Sequence, residues 1–151
     1  MTLVNSDFKE LLNIFNVNHV RYLVIGGYAV LRYTEPRYTK DMDLWIGVDA
    51  ANASAVFRSL REFGAPLAGI TEVDFSDDSL YYQMGNPPSR IDILMSIPGV
   101  DFEDAWTRRE IVEFDGISAA FIARSDLIRS KIASGRPQDL IDADALARIE
   151  E

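Results

Sequence analysis

The chain has 151 residues, a formal net charge of −9, 48% hydrophobic residues and no cysteine. This composition is typical of a globular domain with a hydrophobic core, and the lack of cysteine excludes disulfides, thiol catalysis and thiolate-bound metals. The acidic charge disfavours coating of nucleic acid by the whole surface, so a nucleic-acid substrate would need a local basic patch.

Hydrophobic patterning predicts helices and strands that alternate along the chain. In the first half the predicted elements are a helix that begins near Ser6, a strand Val20–Ile25, a helix Tyr28–Tyr33, a strand Met42–Val48 and a helix Ala50–Phe63. In the second half they are strands Leu80–Met84 and Arg90–Ser96, a helix Asp101–Arg109, a hairpin of Ile111–Phe114 and Ile117–Ile122, a helix capped by Ser125 and a helix that begins at Pro137.

These elements predict one α+β domain that spans residues 1–151. Its core, about residues 20–122, would be a mixed β-sheet of about five to six strands flanked by helices. Residues 124–150 would add a helical C-terminal tail. No segment has the roughly 20 consecutive apolar residues that cross a bilayer, and the N-terminus lacks a secretory pattern, so we expect a cytoplasmic protein with no membrane partner.

Two carboxylates lie close together at the start of the second predicted strand. Asp41 and Asp43 flank Met42, and side chains alternate between the two faces of a strand, so both acids point to one face. Two such carboxylates repel each other in a low dielectric, and a hard divalent cation such as Mg²⁺ or Mn²⁺ is the natural compensation. The alternative is that the acids lie at the solvated end of a loop.

A third acid, Asp92, lies in an otherwise apolar run, Ile91–Met95. If its strand neighbours that of Asp41 and Asp43, the acids meet across the strand spacing of about 5 Å. Three acids on two paired strands can hold two Mg²⁺ ions, which activate an attacking hydroxyl and stabilise a leaving pyrophosphate. The alternative is an edge strand on which Asp92 faces water.

A glycine pair, Gly26-Gly27, follows the first predicted strand and opens a short helix. Backbone N–H groups at the start of a helix bind anions, and glycine lets a phosphate approach the backbone. Many glycine pairs after a strand are only tight turns, and the chain has neither the dinucleotide-binding pattern G-x-G-x-x-G nor a phosphate loop that ends in G-K-[ST].

The order of these motifs resembles that of the nucleotidyltransferase superfamily, which has the fold of DNA polymerase beta. The resemblance is carried by Gly26-Gly27 after an apolar strand, by Asp41-Met42-Asp43-Leu44 and by Asp92 on a later strand. The segment Arg37-x-Thr39 ahead of the first acids is similar to a minimal, AbiEii-toxin-like bacterial branch, often found in toxin–antitoxin pairs. The tail segment Lys131–Asp142 also resembles that branch.

The resemblance implies a role for each of these residues. The three acids Asp41, Asp43 and Asp92 would ligate Mg²⁺ or Mn²⁺, and Asp92 would also help to deprotonate the acceptor hydroxyl. The other candidates would contact the NTP, and they are Gly26, Gly27, Arg37, Thr39, Lys131, Arg136, Asp139 and Asp142. For Lys131 the alternative is a solvated position on an amphipathic helix. For Asp139 and Asp142 the alternative is that they only stabilise a helix N-terminus, where negative charge is favourable.

The implied function is metal-dependent transfer of a nucleoside monophosphate from an NTP, such as ATP, to a hydroxyl group with release of pyrophosphate. A basic strip in the tail would suit a tRNA acceptor, but a protein hydroxyl or a small molecule such as an antibiotic fits equally well. This strip comprises Arg124, Arg129, Lys131 and Arg136, and the alternative is that it holds only the triphosphate. The branch implies a toxin role with an antitoxin protein as partner. The alternatives are a catalytically inactive binding or antitoxin-type domain of the same fold, and an unrelated structural or regulatory α+β domain.

Overall fold

Six strands form one mixed sheet in the part of the chain that the computed structural model describes, residues 6–33, 41–86, 89–114 and 116–149. In chain order they are β1 (Tyr22–Ile25), β2 (Met42–Ile46), β3 (Tyr81–Met84), β4 (Ile91–Leu94), β5 (Glu110–Phe114) and β6 (Ile117–Phe121). Across the sheet their order is β3-β4-β2-β1-β6-β5. The predicted α+β fold with a mixed sheet of about five to six strands is confirmed.

Helices flank this sheet and form the tail. In chain order they are α1 (Ser6–Val17), α2 (Gly26–Tyr33), α3 (Ala50–Phe63), α4 (Phe102–Thr107), α5 (Arg124–Ser134) and α6 (Pro137–Ala147), with a 3₁₀ helix at Glu72–Ser76. The last two helices pack against each other as a tail hairpin, and α6 also contacts α2. No helix within the described ranges is long and apolar enough to cross a membrane.

The core lies around the central strands β1 and β2. All four residues of β1 are buried, and α1 buries the apolar face that its spacing predicts: Phe8, Leu11, Leu12 and Phe15. In β2 every residue except Asp43 is buried. Strands covered on both faces contain continuous apolar runs, so a partly exposed acid within β2 is a departure from that rule.

The start of α5 differs from its prediction as a helix capped by Ser125. The helix begins at Arg124, and Ala123 occupies the N-cap position without a side-chain hydrogen bond. Instead, Asp126 in the first turn is fully buried and accepts hydrogen bonds at 2.9 Å from Nε and Nη2 of Arg108. A long-range ion pair therefore holds this end of the helix in place of a local cap.

The 3₁₀ helix Glu72–Ser76 was not among the predicted elements. Its local signal is a capping box between Thr71 and Asp74, in which each residue satisfies the backbone of the other. Phe75, which is completely buried, anchors this segment in the core. The segment is too short for hydrophobic periodicity to reveal it.

Candidate active site

The three predicted acids meet on two paired strands. β2 and β4 are parallel neighbours, and their register sets Asp43 directly opposite Asp92. Asp41 lies two positions before Asp43 and so belongs to the same face. The alternative of a water-facing edge strand is wrong, because β4 lies between β3 and β2 and Asp92 is only 8% exposed. We call these three residues the acid cluster.

Burial and mutual repulsion dominate the electrostatics of the acid cluster. The carboxyl groups of Asp43 and Asp92 lie within hydrogen-bonding reach of each other. Burial, followed by the hydrogen bond with Asp92 and repulsion from Asp92 and Asp41, together raise the pKa of Asp43 to about 7, although the positive charge of Arg90 acts in the opposite direction. An ordinary aspartate titrates near pH 4, by contrast. In the absence of a metal ion, Asp43 therefore keeps its proton up to near-neutral pH.

A basic residue outside the predicted motifs, Arg90, also contacts the cluster. Its Nη2 atom lies 2.9 Å from Oδ2 of Asp41 and 3.4 Å from Oδ2 of Asp92. The pairing with Asp92 has a sequence signal, since residues two apart on a strand share a face. The pairing with Asp41 follows from the register of β2 and β4, which the sequence does not reveal.

Two oxygens of the acid cluster are buried without a hydrogen-bond partner among the described residues: Oδ1 of Asp41 and Oδ1 of Asp92. Such atoms are costly to bury, and carboxylate oxygens are the ligands that Mg²⁺ and Mn²⁺ prefer. The residues present thus fit a divalent cation held by the acid cluster. In the metal-free arrangement, no group of three histidine, cysteine or acidic side chains in the described ranges is yet placed to hold a metal ion. Arg90 instead contacts the other oxygens, Oδ2 of Asp41 and Oδ2 of Asp92.

The turn after β1 brings the backbone against the acid cluster. α2 begins at Gly26 rather than at the predicted Tyr28, and Gly26 has a left-handed φ of +68°. A Cβ atom added there would lie 2.1 Å from Oδ2 of Asp43, well inside van der Waals contact. Glycine is therefore required at this position both for its backbone conformation and for the approach of Asp43.

Gly26→Ala is expected to destabilise the protein and to displace Asp43. The left-handed conformation alone costs roughly 1–2 kcal/mol for a residue with a Cβ atom, and the clash with Asp43 adds to that cost. Thermal unfolding measures the loss, with Gly69→Ala as the matched control because Gly69 has a φ of +78° and open space around an added Cβ. Equal losses in both variants would contradict a specific role for the contact with Asp43.

A cleft of about 380 Å³ lies between the acid cluster and the tail hairpin. This volume is in the range of small-molecule binding sites, roughly 300–1,000 Å³. The predicted site residues that line it are Gly26, Gly27, Asp43, Lys131, Arg136, Asp139 and Asp142. The structure thus brings the glycine turn, one acid of the cluster and the tail motif to a single cleft, while Arg37 and Thr39 lie outside the described residues.

The tail residues of the cleft form a hydrogen-bonded group of their own, which we call the tail network. Lys131 Nζ lies 3.2 Å from Oδ1 of Asp139 and 3.3 Å from Oδ2 of Asp142. Ser134 and Arg136 also donate to Asp139. Burial would raise the pKa of Asp139, but the hydrogen bonds from these three residues lower it below its ordinary value. Lys131 is therefore not the solvated lysine of the alternative interpretation.

Two cations of the predicted basic strip are paired with acids of the tail network, and a third shares Asp126 with Arg108. Arg129 Nη1 lies 3.2 Å from Asp126, and both Lys131 and Arg136 belong to the tail network. Arg124 donates to a backbone carbonyl oxygen near the end of the chain. Cations that are already paired with carboxylates attract a polyanion less than free ones do, so Lys131 and Arg136 give a tRNA acceptor little support.

Comparison with known proteins identifies the family. A family model described as "nucleotidyltransferase of unknown function (DUF6036)" matches residues 3–150. The chain belongs to this family. The resemblance to nucleotidyltransferases that the glycine turn and the acids predict is therefore confirmed, because the match covers both motifs and the tail.

Solved structures give a second comparison for this nucleotidyltransferase family member. The chain is similar in fold to the lincosamide antibiotic adenylyltransferase LnuA in its lincomycin-bound crystal structure, with a TM-score of 0.54 and 16% sequence identity. The similarity covers 99% of this chain and 100% of that one. At such low identity it shows a shared fold, and activity has to be argued from the site. No curated protein matches the chain by sequence.

Proposed function

We propose that this member of the nucleotidyltransferase family transfers a nucleoside monophosphate from an NTP to a hydroxyl group and releases pyrophosphate. One observation carries the proposal: Asp43 stands opposite Asp92 on parallel strands and beside Gly26, at the wall of the cleft. Carboxylates can bind a divalent cation, and the adjacent helix N-terminus can bind the phosphates of an NTP. The whole chain would serve as one catalytic domain.

The proposal assigns Mg²⁺ or Mn²⁺ to the acid cluster. A divalent cation at this place would neutralise phosphate charge and lower the pKa of a coordinated hydroxyl. The buried, unpartnered carboxylate oxygens of Asp41 and Asp92 support the assignment. Asp43, whose pKa is raised mainly by burial, would gain positive charge beyond the partial compensation that Arg90 provides.

Side chains and backbone of the cleft would carry the remaining roles. The start of α2 at Gly26 and Gly27 would bind the triphosphate and orient its α-phosphorus toward the acids. The acceptor oxygen attacks that phosphorus, the bond to the β-phosphate breaks, and pyrophosphate leaves. The hydroxyl proton passes to the carboxylate of Asp92. Lys131, which also lines the cleft, would contact the departing phosphates.

For the acceptor we favour a small molecule or a protein hydroxyl over tRNA. The cleft is of small-molecule size, and Lys131 and Arg136 of the tail strip are paired with carboxylates of the tail network. The fold itself can serve a small acceptor, since a lincosamide adenylyltransferase shares it. A toxin role with an antitoxin partner rests on the branch resemblance alone.

Label transfer tests the proposed function. The protein is incubated with α-³²P-labelled NTPs, Mg²⁺ or Mn²⁺ and cell extract, and the label is followed into small-molecule, protein and RNA fractions. We expect transfer by the natural protein and by Asp78→Asn, which changes an exposed acid. Asp92→Asn should lower the rate by about 10²–10³-fold, as loss of one preorganised catalytic group does. No transfer by the folded natural protein would favour an inactive binding domain.

A further inference from the structure

Arg90 stands opposite Asp41, just before β2 and β4 begin. The register of the two strands pairs Met42 with Ile91, so one residue earlier it brings Asp41 beside Arg90. A backbone hydrogen bond supports this register, because the N–H of Met42 donates to the carbonyl oxygen of Arg90 at 3.0 Å. Three carboxylates and the guanidinium of Arg90 thus lie on one face, and the guanidinium contacts two of the carboxylates, those of Asp41 and Asp92.

The contacts that hold the guanidinium of Arg90 are few and weak. Both ion pairs of Arg90 use the same atom, Nη2, and the contact with Asp92 is long at 3.4 Å. Its Nε atom is buried without a hydrogen-bond partner in the described part of the chain. Arginine binds a carboxylate most strongly through two parallel hydrogen bonds, which this arrangement lacks. The side chain is 35% exposed, so solvent is within its reach.

We propose that Arg90 is an internal counter-cation of the acid cluster, which holds Asp41 and Asp92 in the metal-free protein and is displaced when a divalent cation binds. Arg90 pairs with Oδ2 of Asp41 and Asp92, whereas the cation would take the Oδ1 atoms of the same two carboxylates. The two positive charges would then lie close together and repel each other, so binding of the cation disfavours the position of Arg90. Arg90 therefore sets how tightly the metal is held, and it is a positioning residue. This inference rests on the metal site of the proposed function, but it concerns affinity and requires no turnover.

Mn²⁺ binding by the whole chain tests this competition through calorimetry and thermal unfolding. In Arg90→Gln the acids lose their counter-cation, so the metal-free protein should unfold at a lower temperature than the natural one. The dissociation constant for Mn²⁺ should fall about 10-fold, within the usual range of coupling between two binding events. Arg58→Gln, which changes an exposed arginine on α3, should leave both measurements unchanged.

A second measurement follows Arg90 itself. Saturating Mn²⁺ should increase the rate at which phenylglyoxal modifies the peptide that contains Arg90 in the natural protein, since displacement exposes the guanidinium. The rate at Arg58 should not change. An unchanged rate at Arg90, in a protein that binds Mn²⁺, would overturn the displacement.

The outcomes separate this inference from the proposed function. If the natural protein binds Mn²⁺ and Arg90→Gln binds it equally or more weakly, Arg90 is no competitor and the metal site stands. If neither protein binds Mn²⁺, the metal site and the role of Arg90 both fail. Should Arg90→Gln not fold, Arg90→Lys keeps the charge without the planar guanidinium, and binding by this variant that is weaker than in the natural protein would also overturn the inference.

Discussion

Asp43→Asn is expected to lower the rate of nucleotidyl transfer strongly and, at the same time, to make the metal-free protein more stable above neutral pH. Asp43 lies opposite Asp92 and beside Gly26, so the substitution removes a proposed metal ligand at the centre of the site. We expect a loss of transfer on the order of 10³-fold, the upper range for one preorganised electrostatic group. The label-transfer assay measures it, with Asp78→Asn as the control.

The gain in stability follows from the pKa of Asp43. Burial, assisted by Asp92 and Asp41, raises it to about 7 from an ordinary value of 3.8. The protonated form therefore stabilises the folded state; this contribution is complete below about pH 4 and is lost as the pH rises through about 7. Above that pH the folded protein holds a buried charge, which asparagine does not have.

Thermal unfolding between about pH 5 and pH 8 without metal tests whether the substitution stabilises the protein as the pH rises. Asp43→Asn should raise Tm at the upper end by at least about 3 °C, since 1 kcal/mol shifts Tm by roughly 2–4 °C in a domain of this size. At the lower end the two proteins should differ much less, because the natural carboxyl is then protonated. A variant that kept the pH dependence of the natural protein would contradict the assigned pKa.

Local signals explain the parts of the fold that could be predicted. The helix Ala50–Phe63 has the predicted bounds because Asp49 caps its start and Gly64, in a left-handed conformation, closes its end. The alternation of Met42, Asp43 and Leu44 fixed which face each side chain takes, and this depends only on strand geometry. Caps and periodicity are both properties of neighbouring residues, so sequence alone reveals them.

The remaining features depend on contacts between distant segments. The pairing of Arg90 with Asp41 requires that β4 lie beside β2 in one particular register, and a shift by one residue would turn every side chain to the other face. The burial of Asp126 depends in the same way on Arg108, which lies before β5. Nothing in the sequence near Arg90 marks Asp41 as its partner, and nothing near Arg108 marks Asp126, so neither of these two pairings was predicted.

The tail combines a feature that local spacing predicts with one that depends on contact between two helices. The spacing of Asp139 and Asp142 predicts that they share a helix face, and they do. Their common partner, Lys131, belongs to the preceding helix, so the ion pairs form only once α5 and α6 fold back on each other. A favourable helix N-terminus alone would have left these two acids exposed, whereas the structure buries them.

Lys131→Met is expected to cost about 3–5 kcal/mol of stability, the usual effect of removing one partner from a buried ion pair. The side chains of Lys131, Asp139 and Asp142 are only 12%, 10% and 6% exposed, so the two acids would be left buried without their shared cation. Chemical unfolding measures the loss, and Lys9→Met on α1 should change stability far less.

A triple variant separates this structural role of Lys131 from its proposed contact with phosphate. Replacing Lys131 by Met together with Asp139→Asn and Asp142→Asn removes both signs of charge, and it should recover most of the lost stability because no buried charge is left unpaired. Its affinity for Mg²⁺-NTP should nevertheless remain about 10-fold weaker than that of the natural protein, since a cation on the wall of the cleft is missing. If calorimetry gave the natural affinity for this variant, Lys131 would serve only to join α5 to α6, and the triphosphate would depend on the glycine turn and the acid cluster alone.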